Sequence, residues 1–346
     1  MLSKNLKYYR LKNNLTKKKL ADMVGVSSMA ITHYENGDRY PDMPIIKKLA
    51  EALDVRVIDF IAVRNRNLVF SHEEFRKHSS LSKSKQDYIR ESVEEYFSRF
   101  YDAVEMLGGK VLPDAPLLHS LPLSDDVEVN GRALRKYLGL AESGPIGNLI
   151  EIMENKGILV YLLDSDEAGF SGINGTVNGR PYIVVNKNMT AERIRTTIVH
   201  ESAHFAFEWP STIEDQIVEK LATAIGGAFL FPEIDVIREL GVKRRAVTTD
   251  MYIVCKEYGI AMSLMAVRAR ECKVITETVC ANYFIALNKN GGRKNEKSLI
   301  AKEQTNLFEQ LVYRAINEDE ISIQKGAELL NVPYDTVEVN CRFAGA

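Results

Sequence analysis

Residues 192–209 read ERIRTTIVHESAHFAFEW, and apolar side chains recur through this stretch at the spacing of one helix face. They are Ile194, Ile198, Val199, Ala203 and Phe205. The stretch is therefore predicted to be a largely buried helix. Because residues i and i+4 of a helix share a face, His200 and His204 can aim a ring nitrogen at one metal ion. The alternative is that both histidines are buried and satisfied by hydrogen bonds.

The residue after the first histidine suggests a catalytic rather than a structural metal. Catalytic zinc takes three protein ligands and keeps a fourth position for water. Glu201 is placed to act as general base toward that water. The pattern His-Glu-x-x-His arises by chance in roughly one chain in a hundred of this length, so the hypothesis also needs a third ligand.

Four acidic residues close downstream are candidates for that third ligand: Glu208, Glu214, Asp215 and Glu219. Glu208 lies one turn beyond His204, about 6 Å further along the same axis, where convergence on one ion is awkward. A second helix packed against the first gives better geometry. Residues 214–233, EDQIVEKLATAIGGAFLFPE, are predicted to form that helix.

The surrounding motifs resemble the ImmA/IrrE metallopeptidase family over roughly residues 130–235. The matching pieces are Pro145 to Ile150, Gly157 to Val160, Phe170 to Gly172, Pro181 to Asn186, Arg193, His200 to His204 and Glu219 to Pro232. The resemblance implies that Glu219 is the third ligand, that a gluzincin-like helix pair lies beside a small sheet, and that the domain cleaves or inactivates repressors of the helix-turn-helix type.

The chain departs from that family at two places. Ser202 and Ala203 stand where the family usually has a bulky apolar residue and a glycine, and Ala203 keeps the small size that close helix packing needs. Gly226 and Gly227 interrupt the predicted third-ligand helix, where each glycine costs about 1 kcal/mol against alanine. Close helix packing or a kink would account for them.

Upstream of the metal helix, the chain alternates helical and strand-like segments. ILVYLL (158–163) is typical of a buried strand, and GFSGINGTVNGRPYIVVN (169–186) predicts two strands around a turn. The predicted fold is α+β and mostly α, with a small antiparallel sheet packed on helices. An extended substrate is expected to add a strand at the sheet edge around Tyr182 to Asn186.

The first 66 residues are basic, with thirteen Lys and Arg against seven Asp and Glu, whereas the whole chain carries a formal charge of −2. Thr16 and Ser27 are predicted helix N-caps, Gly25 permits a tight turn, and Gly37 ends a helix. Residues 15–55, LTKKKLADMVGVSSMAITHYENGDRYPDMPIIKKLAEALDV, resemble the XRE/Cro-type helix-turn-helix, which implies a five-helix domain that binds double-stranded DNA.

The resemblance places the helix from Ser28 to Glu35 in the major groove of DNA. The side chains expected at base edges are Ser28, Met29, Thr32 and His33. Those expected at phosphates, where they position without specifying sequence, are Arg10, Lys17, Asn36 and Arg39. The alternative is a small helical bundle that mediates protein contacts only.

Four domains are predicted. They are a helix-turn-helix over 1–66, a helical connector over 67–129, the peptidase core over 130–236, and a helical, helix-turn-helix-like region over 237–346. This last region either holds a partner or senses a signal, or it simply covers the peptidase core. Its function stays open.

The four cysteines are sparse and lack CxxC spacing, no run of eighteen apolar residues occurs, and the N-terminus lacks a signal peptide's apolar region. These features predict a cytoplasmic protein without a membrane segment.

Together, the patterns predict a DNA-binding regulator with a zinc-dependent endopeptidase domain that cleaves a repressor-type regulatory protein. In the alternative, the metal domain is a non-proteolytic sensor or a structural module. Zinc is the expected metal, with manganese left open. The sequence also leaves open the target protein, the operator, the inducing signal and whether the chain forms a homodimer.

Overall fold

The structure is a computed structural model, and it describes residues 2–62, 64–65, 67–72, 81–167, 169–292 and 296–341. Over these residues the chain forms seventeen helices and six strands, so it is mostly helical with a small amount of sheet, as the sequence predicts. Within the same ranges, no helix is both long and apolar enough to cross a membrane.

The N-terminal domain consists of five helices, the number that the sequence predicts. They are α1 (Leu2–Lys12), α2 (Lys17–Val24), α3 (Ser28–Asn36), α4 (Met43–Ala52) and α5 (Val57–Ile61). Thr16 caps α2 by accepting from the Lys19 N–H, and Ser27 caps α3 by accepting from the Ala30 N–H, both at 3.1 Å. Gly25 and Gly37 end these helices with φ of 76° and 80°, which glycine adopts without steric cost.

Four further helices join this domain in one compact unit, which spans Met1–Phe70, Glu74–Val111 and Phe308–Ala346. They are α6 (Lys83–Met106), α15 (Leu307–Asn317), α16 (Ile323–Leu330) and α17 (Tyr334–Cys341). Aromatic packing joins α6 to α15, because the rings of Tyr96 and Phe308 lie 5.4 Å apart. Arg99 of α6 donates to the Leu329 carbonyl of α16. The last helices therefore pack on the connector helix, and the four domain boundaries given above remain a proposal.

The second compact unit spans Ser71–Glu73 and Leu112–Leu307. Its helices are α7 (Val127–Tyr137), α8 (Leu149–Asn155), α9 (Ala191–Ala206), α10 (Asp215–Leu230), α11 (Glu233–Leu240), α12 (Met251–Tyr258), α13 (Met262–Glu271) and α14 (Glu277–Lys289). Its strands are β1 (Phe70–His72), β2 (Leu121–Pro122), β3 (Leu159–Leu163), β4 (Gly172–Val177), β5 (Arg180–Asn186) and β6 (Phe207–Glu208).

The main sheet has the strand order β1-β4-β5-β3 and is mixed. β4 and β5 form an antiparallel hairpin, and the turn residues Asn178 and Gly179 have φ of 52° and 77°, as an Asn-Gly hairpin turn requires. β3 pairs in parallel with the other side of β5. The prediction of an antiparallel sheet was wrong in this respect, because the hairpin fixes only β4 and leaves β3 to run beside β5 in the same direction.

Strand order also overturns the predicted edge at Tyr182 to Asn186. These residues belong to β5, which is hydrogen-bonded on one side to β4 and on the other to β3. An interior strand has no unpaired backbone groups to offer to a peptide. A substrate strand therefore cannot be added there.

Glycines in and around α10 set how closely other helices approach it. A Cβ built on Gly131 of α7 would lie 2.8 Å from Ala228 Cβ and 3.0 Å from its carbonyl carbon, so only glycine fits. A Cβ on Gly227 would lie 3.0 Å from Arg268 Cδ, whose side chain donates to the Phe231 carbonyl. At Gly226 the nearest atom would be 3.8 Å away, an ordinary contact. Close packing therefore explains Gly227 but does not require Gly226.

We expect Gly226→Ala to raise the free energy of unfolding by up to about 1 kcal/mol, because alanine is the better helix former and the space is there. Gly131→Ala should instead lower it by about 1–3 kcal/mol, because the added methyl group overpacks a backbone contact. Chemical denaturation of the full chain measures both. Equal effects of the two substitutions would contradict this account of the packing.

Candidate functional site

The two histidines of the motif lie one turn apart on α9 and face each other. Their Nε2 atoms are 3.2 Å apart, and His204 is buried while His200 is half-buried. Two imidazole nitrogens at this distance either share one proton or surround a cation. The two histidines therefore lie on one face of the helix, as their spacing in the sequence predicts.

Glu219 of α10 completes a cluster with the two histidines. Its Oε2 lies 3.4 Å from His200 Nε2 and its Oε1 lies 3.6 Å from His204 Nε2. Ligands at about 2.1 Å from a tetrahedral zinc are about 3.4 Å from one another, so the three spacings fit a metal ion at their centre. Two imidazoles and a carboxylate are also a donor set that catalytic zinc sites use. The residues present fit a divalent metal.

The other acidic candidates lie outside this cluster of potential ligands. Helix α9 ends at Ala206, so Glu208 sits beyond it in β6 and is exposed. Glu214 is the N-cap residue of α10, more than one turn before Glu219, and it too is exposed. Of the four acidic candidates, Glu219 on α10 is the one that lies beside the two histidines, as the resemblance implies.

Thr223 is a contributor to the site that the sequence reasoning missed. Its hydroxyl donates to the Glu219 carbonyl at 2.9 Å and lies 3.2 Å from His200 Nδ1. A hydroxyl that has given its hydrogen to a carbonyl can accept from Nδ1–H, and that tautomer leaves the Nε2 lone pair for a metal. The sequence could have predicted this contact, because Thr223 follows Glu219 by four residues and therefore lies on the same face of the helix.

Asn174 is a second contributor that the sequence reasoning missed. Its buried side chain, on β4, donates from Nδ2 to Glu201 Oε2 at 2.8 Å. Gly172 lets β4 come this close to α9, since a Cβ there would lie 2.6 Å from Thr197 Cγ2 and 3.4 Å from Glu201 Cγ. Glu201 is only 7% exposed and is held in a fixed direction beside His200.

The two departures inside the motif lie on the core side of α9. Ser202 is fully buried, and its hydroxyl donates to the Ile198 carbonyl at 2.7 Å. Ala203 is also fully buried, and its carbonyl accepts from Trp209 Nε1 at 3.1 Å. The Trp209 ring centroid lies 6.0 Å from that of His204. Neither departure removes a donor from the cluster.

In the N-terminal domain, most residues that were predicted to reach DNA are accessible on and around α3. Ser28, Met29, Asn36 and Arg39 are exposed, and Met29 is 62% exposed. Thr32 and His33 are half-buried. The Thr32 hydroxyl donates to the Ser28 carbonyl and can still accept, and His33 Nδ1 lies 3.2 Å from Asp38 Oδ2. Their role in binding DNA remains a proposal.

Arg10 requires a correction. Its guanidinium is buried, forms an ion pair with Glu35 through two nitrogens, and donates from the third to the Leu15 carbonyl at 2.7 Å. An arginine with every nitrogen bound inside the domain does not reach a phosphate, so its role is structural. Lys17 Nζ lies 3.6 Å from the same carboxylate, but its side chain is 39% exposed and can still reach solvent.

Comparison with known proteins agrees with both parts of this description. Residues 6–60 match the family model described as helix-turn-helix, and residues 153–270 match the one described as IrrE N-terminal-like domain. The chain joins an XRE-type helix-turn-helix to an IrrE/ImmA-like domain. The second family is one of metallopeptidases and implies a divalent metal.

One similar protein is described as a regulator of the helix-turn-helix type. The uncharacterized HTH-type transcriptional regulator YqaE of Bacillus subtilis (strain 168) is 34% identical over 73 residues. The match covers 21% of this chain and 63% of the relative. The match therefore spans about a fifth of this chain and less than two thirds of the relative.

We expect one divalent metal per chain at His200, His204 and Glu219. His204→Ala should abolish stoichiometric metal, because two ligands hold the ion poorly, whereas Glu201→Gln should retain it, because Glu201 is not a ligand. Thr223→Val should weaken binding by about 10–100-fold, the usual effect of losing a hydrogen bond to a ligating histidine. Elemental analysis and metal titration of the full chain measure all three. Full occupancy in the His204→Ala protein would refute the site.

Proposed function

We propose that the chain is a DNA-binding regulator whose IrrE-like domain is a zinc-dependent endopeptidase acting on a repressor-type regulatory protein. The observation that carries the proposal is the convergence of three metal-ligand donors beside a buried, oriented glutamate. The helix-turn-helix match supports binding of the same chain to double-stranded DNA. The four cysteines, all within the described residues, form no disulfide, which fits a regulator working in the reducing cytoplasm.

In this proposal His200, His204 and Glu219 hold the metal, with zinc first and manganese as the alternative. When bound there, the ion supplies a Lewis acid for a peptide carbonyl and lowers the pKa of water. Thr223 keeps the His200 imidazole in the tautomer that presents Nε2. Nothing else in the assignment depends on which of the two metals is present.

Glu201 handles the proton. Its carboxylate takes a proton from the attacking water as the new C–O bond forms, and passes that proton to the amide nitrogen as the C–N bond breaks. Asn174 holds one carboxylate oxygen, so the side chain keeps its direction through both transfers. The products are a free carboxylate and a free amine.

One observation favours a second function. A protease that cleaves a repressor in trans does not need its own DNA-binding domain, yet both domains occur in one chain. In this alternative the metal domain senses a signal and changes the DNA-binding state without proteolysis. The two functions differ in whether Glu201 matters once the metal is bound.

We expect the full chain to bind duplex DNA with a steep salt dependence, because each phosphate neutralised by Lys or Arg contributes a slope of about −0.9 in log K against log salt. His33→Ala should relax the sequence preference. Lys17→Ala should weaken all sequences alike and reduce the slope by about 1. Binding titrations at several salt concentrations measure both.

Arg10→Ala is the matched contrast, because this arginine is buried rather than facing DNA. It should lower the thermal stability of the domain by leaving Glu35 short of its main partner. If the wild-type chain binds DNA independently of salt, or binds no genomic fragment, the DNA-binding proposal is contradicted. That result would support a domain that contacts only proteins.

We expect Glu201→Gln to leave the metal, the fold and DNA binding intact but to remove cleavage of the target. Loss of a general base typically slows a reaction by about 10²–10⁴-fold, enough to erase a slow regulatory cleavage. The assay incubates metal-loaded protein with helix-turn-helix proteins encoded beside it and follows their fragments.

Derepression of the controlled operon under inducing conditions is the cellular readout of the same experiment. A Glu201→Gln strain that responds like wild type while a His200→Ala strain does not would assign the metal to regulation without catalysis. The endopeptidase proposal would then be wrong.

A further inference from the structure

The outer edge of β4 is covered by a segment from another part of the chain. β1 (Phe70–His72) pairs with β4 on the side away from β5, although about a hundred residues separate the two strands in sequence. β1 belongs to the connector that follows the helix-turn-helix, and it lies well before the chain segment that builds the rest of the sheet. Its presence on that edge is a feature of this chain that the metal site does not require.

The covered edge is the one next to the proposed general base. Asn174, which donates to Glu201, is followed on β4 by Gly175. A Cβ built on Gly175 would lie 2.5 Å from the Ser71 carbonyl oxygen, so glycine is what lets β1 approach this closely. Successive residues of a strand are about 3.4 Å apart along it. β1 therefore pairs within one residue of the point where β4 contacts Glu201.

A side chain from β5 fastens β1 to the sheet. Tyr182 lies opposite Gly175, and the same Cβ would come 2.4 Å from its hydroxyl, so the tyrosine crosses β4 where a side chain is missing. The hydroxyl hydrogen-bonds His72 Nδ1 at 2.6 Å, and the two rings meet edge-on with centroids 6.2 Å apart. Tyr182 is fully buried, so this contact is ordered within the core of the sheet. We call it the His72–Tyr182 latch.

The same edge has the properties of a peptide-binding strand. An extended peptide binds a sheet edge through main-chain hydrogen bonds, and side-chain notches beside the edge give specificity. Here the backbone of β4 can provide the main-chain hydrogen bonds. The space at Gly175, bounded by the Tyr182 side chain, can provide the specificity. β3 forms the other edge of the sheet, and it lies across β5 from the strand that contacts Glu201.

β1 is also short enough to leave. It consists of three residues, none of them fully buried. Short, partly exposed elements open locally at a small fraction of the cost of global unfolding. A peptide or a signal that breaks the latch could therefore release β1 without disturbing α9 or α10.

We propose that the outer edge of β4 is the surface that takes up an extended peptide, and that β1 of the same chain occupies it as an internal substitute. Uptake of a peptide requires β1 to leave, so the connector holds the site closed until the latch is broken. This inference rests on the proposed function for the identity of the peptide as a substrate, but the pairing itself does not require cleavage.

The test uses the full, metal-loaded chain in a Glu201→Gln background, so that binding is measured without turnover. His72→Ala and Tyr182→Phe break the latch while sparing the metal ligands, and Tyr161→Phe on β3 is a matched control in the same sheet. His72→Gln should restore the latch, because its amide can still meet the tyrosine hydroxyl. Metal content checks that each variant keeps its fold.

Hydrogen–deuterium exchange reports release of β1. Loss of one hydrogen bond of ordinary strength should speed exchange of the amides in residues 69–72 and 172–177 by up to about tenfold. Tyr161→Phe and His72→Gln should exchange like the parent. Unchanged exchange in both latch variants would show that β1 is a permanent strand and would overturn the proposal.

Binding of a synthetic peptide, NLVFSH (residues 67–72), reports whether the vacated edge accepts a strand. His72→Ala should bind it up to about tenfold more tightly than the parent, because β1 opens more readily while the peptide keeps a histidine for Tyr182. Tyr182→Phe should bind it like the parent, because the peptide and β1 lose the same hydrogen bond. Equal binding in all variants would contradict the proposal. Tighter binding by His72→Ala combined with no cleavage of any target after Glu201 is restored would leave this inference standing and reject the endopeptidase function.

Discussion

The close approach of two elements, α10 and β4, to α9 is the constraint on which the candidate site depends. Glu219 reaches the two histidines only because α10 packs beside α9, where Gly226 faces the backbone of His200. Asn174 reaches Glu201 only because Gly172 lets β4 approach the same helix from another side. The ligands and the proposed base thus come from two helices, and the strand supplies Asn174, which orients the base. A larger residue at Gly172 should therefore displace β4 and with it the hydrogen bond that orients Glu201.

Local signals predicted much of the fold because they act over a few residues. The caps at Thr16 and Ser27 and the turn at Gly25 each depend on a side chain and a backbone group no more than a few positions away. The two histidines share a helix face for the same reason. The third ligand needed the family resemblance, because residue spacing alone left four acidic candidates, and only the packing of α10 on α9 distinguishes among them.

Features set by distant contacts were missed or mistaken. Arg10 has a basic side chain in a basic domain, but its partner Glu35 lies 25 positions away, and only the tertiary fold buries the pair. The hairpin of β4 and β5 was evident from its turn, whereas the direction of β3 depends on which side of β5 it joins. β1 gave no strand signal, because three residues in a polar connector are too few to show alternation. The role of Asn174 could not be predicted from its neighbours in sequence, because its partner Glu201 lies 27 positions away on α9.

The proposed function depends on His200, His204 and Glu219 binding one metal ion together. X-ray absorption spectroscopy of the zinc-loaded full chain tests it most directly, because the ligand types and distances are read at the metal itself. We expect two imidazole nitrogens at about 2.0–2.1 Å and the remaining ligands as oxygen, with no sulfur among them. A thiolate at about 2.3 Å, or a spectrum with a single imidazole, would contradict it.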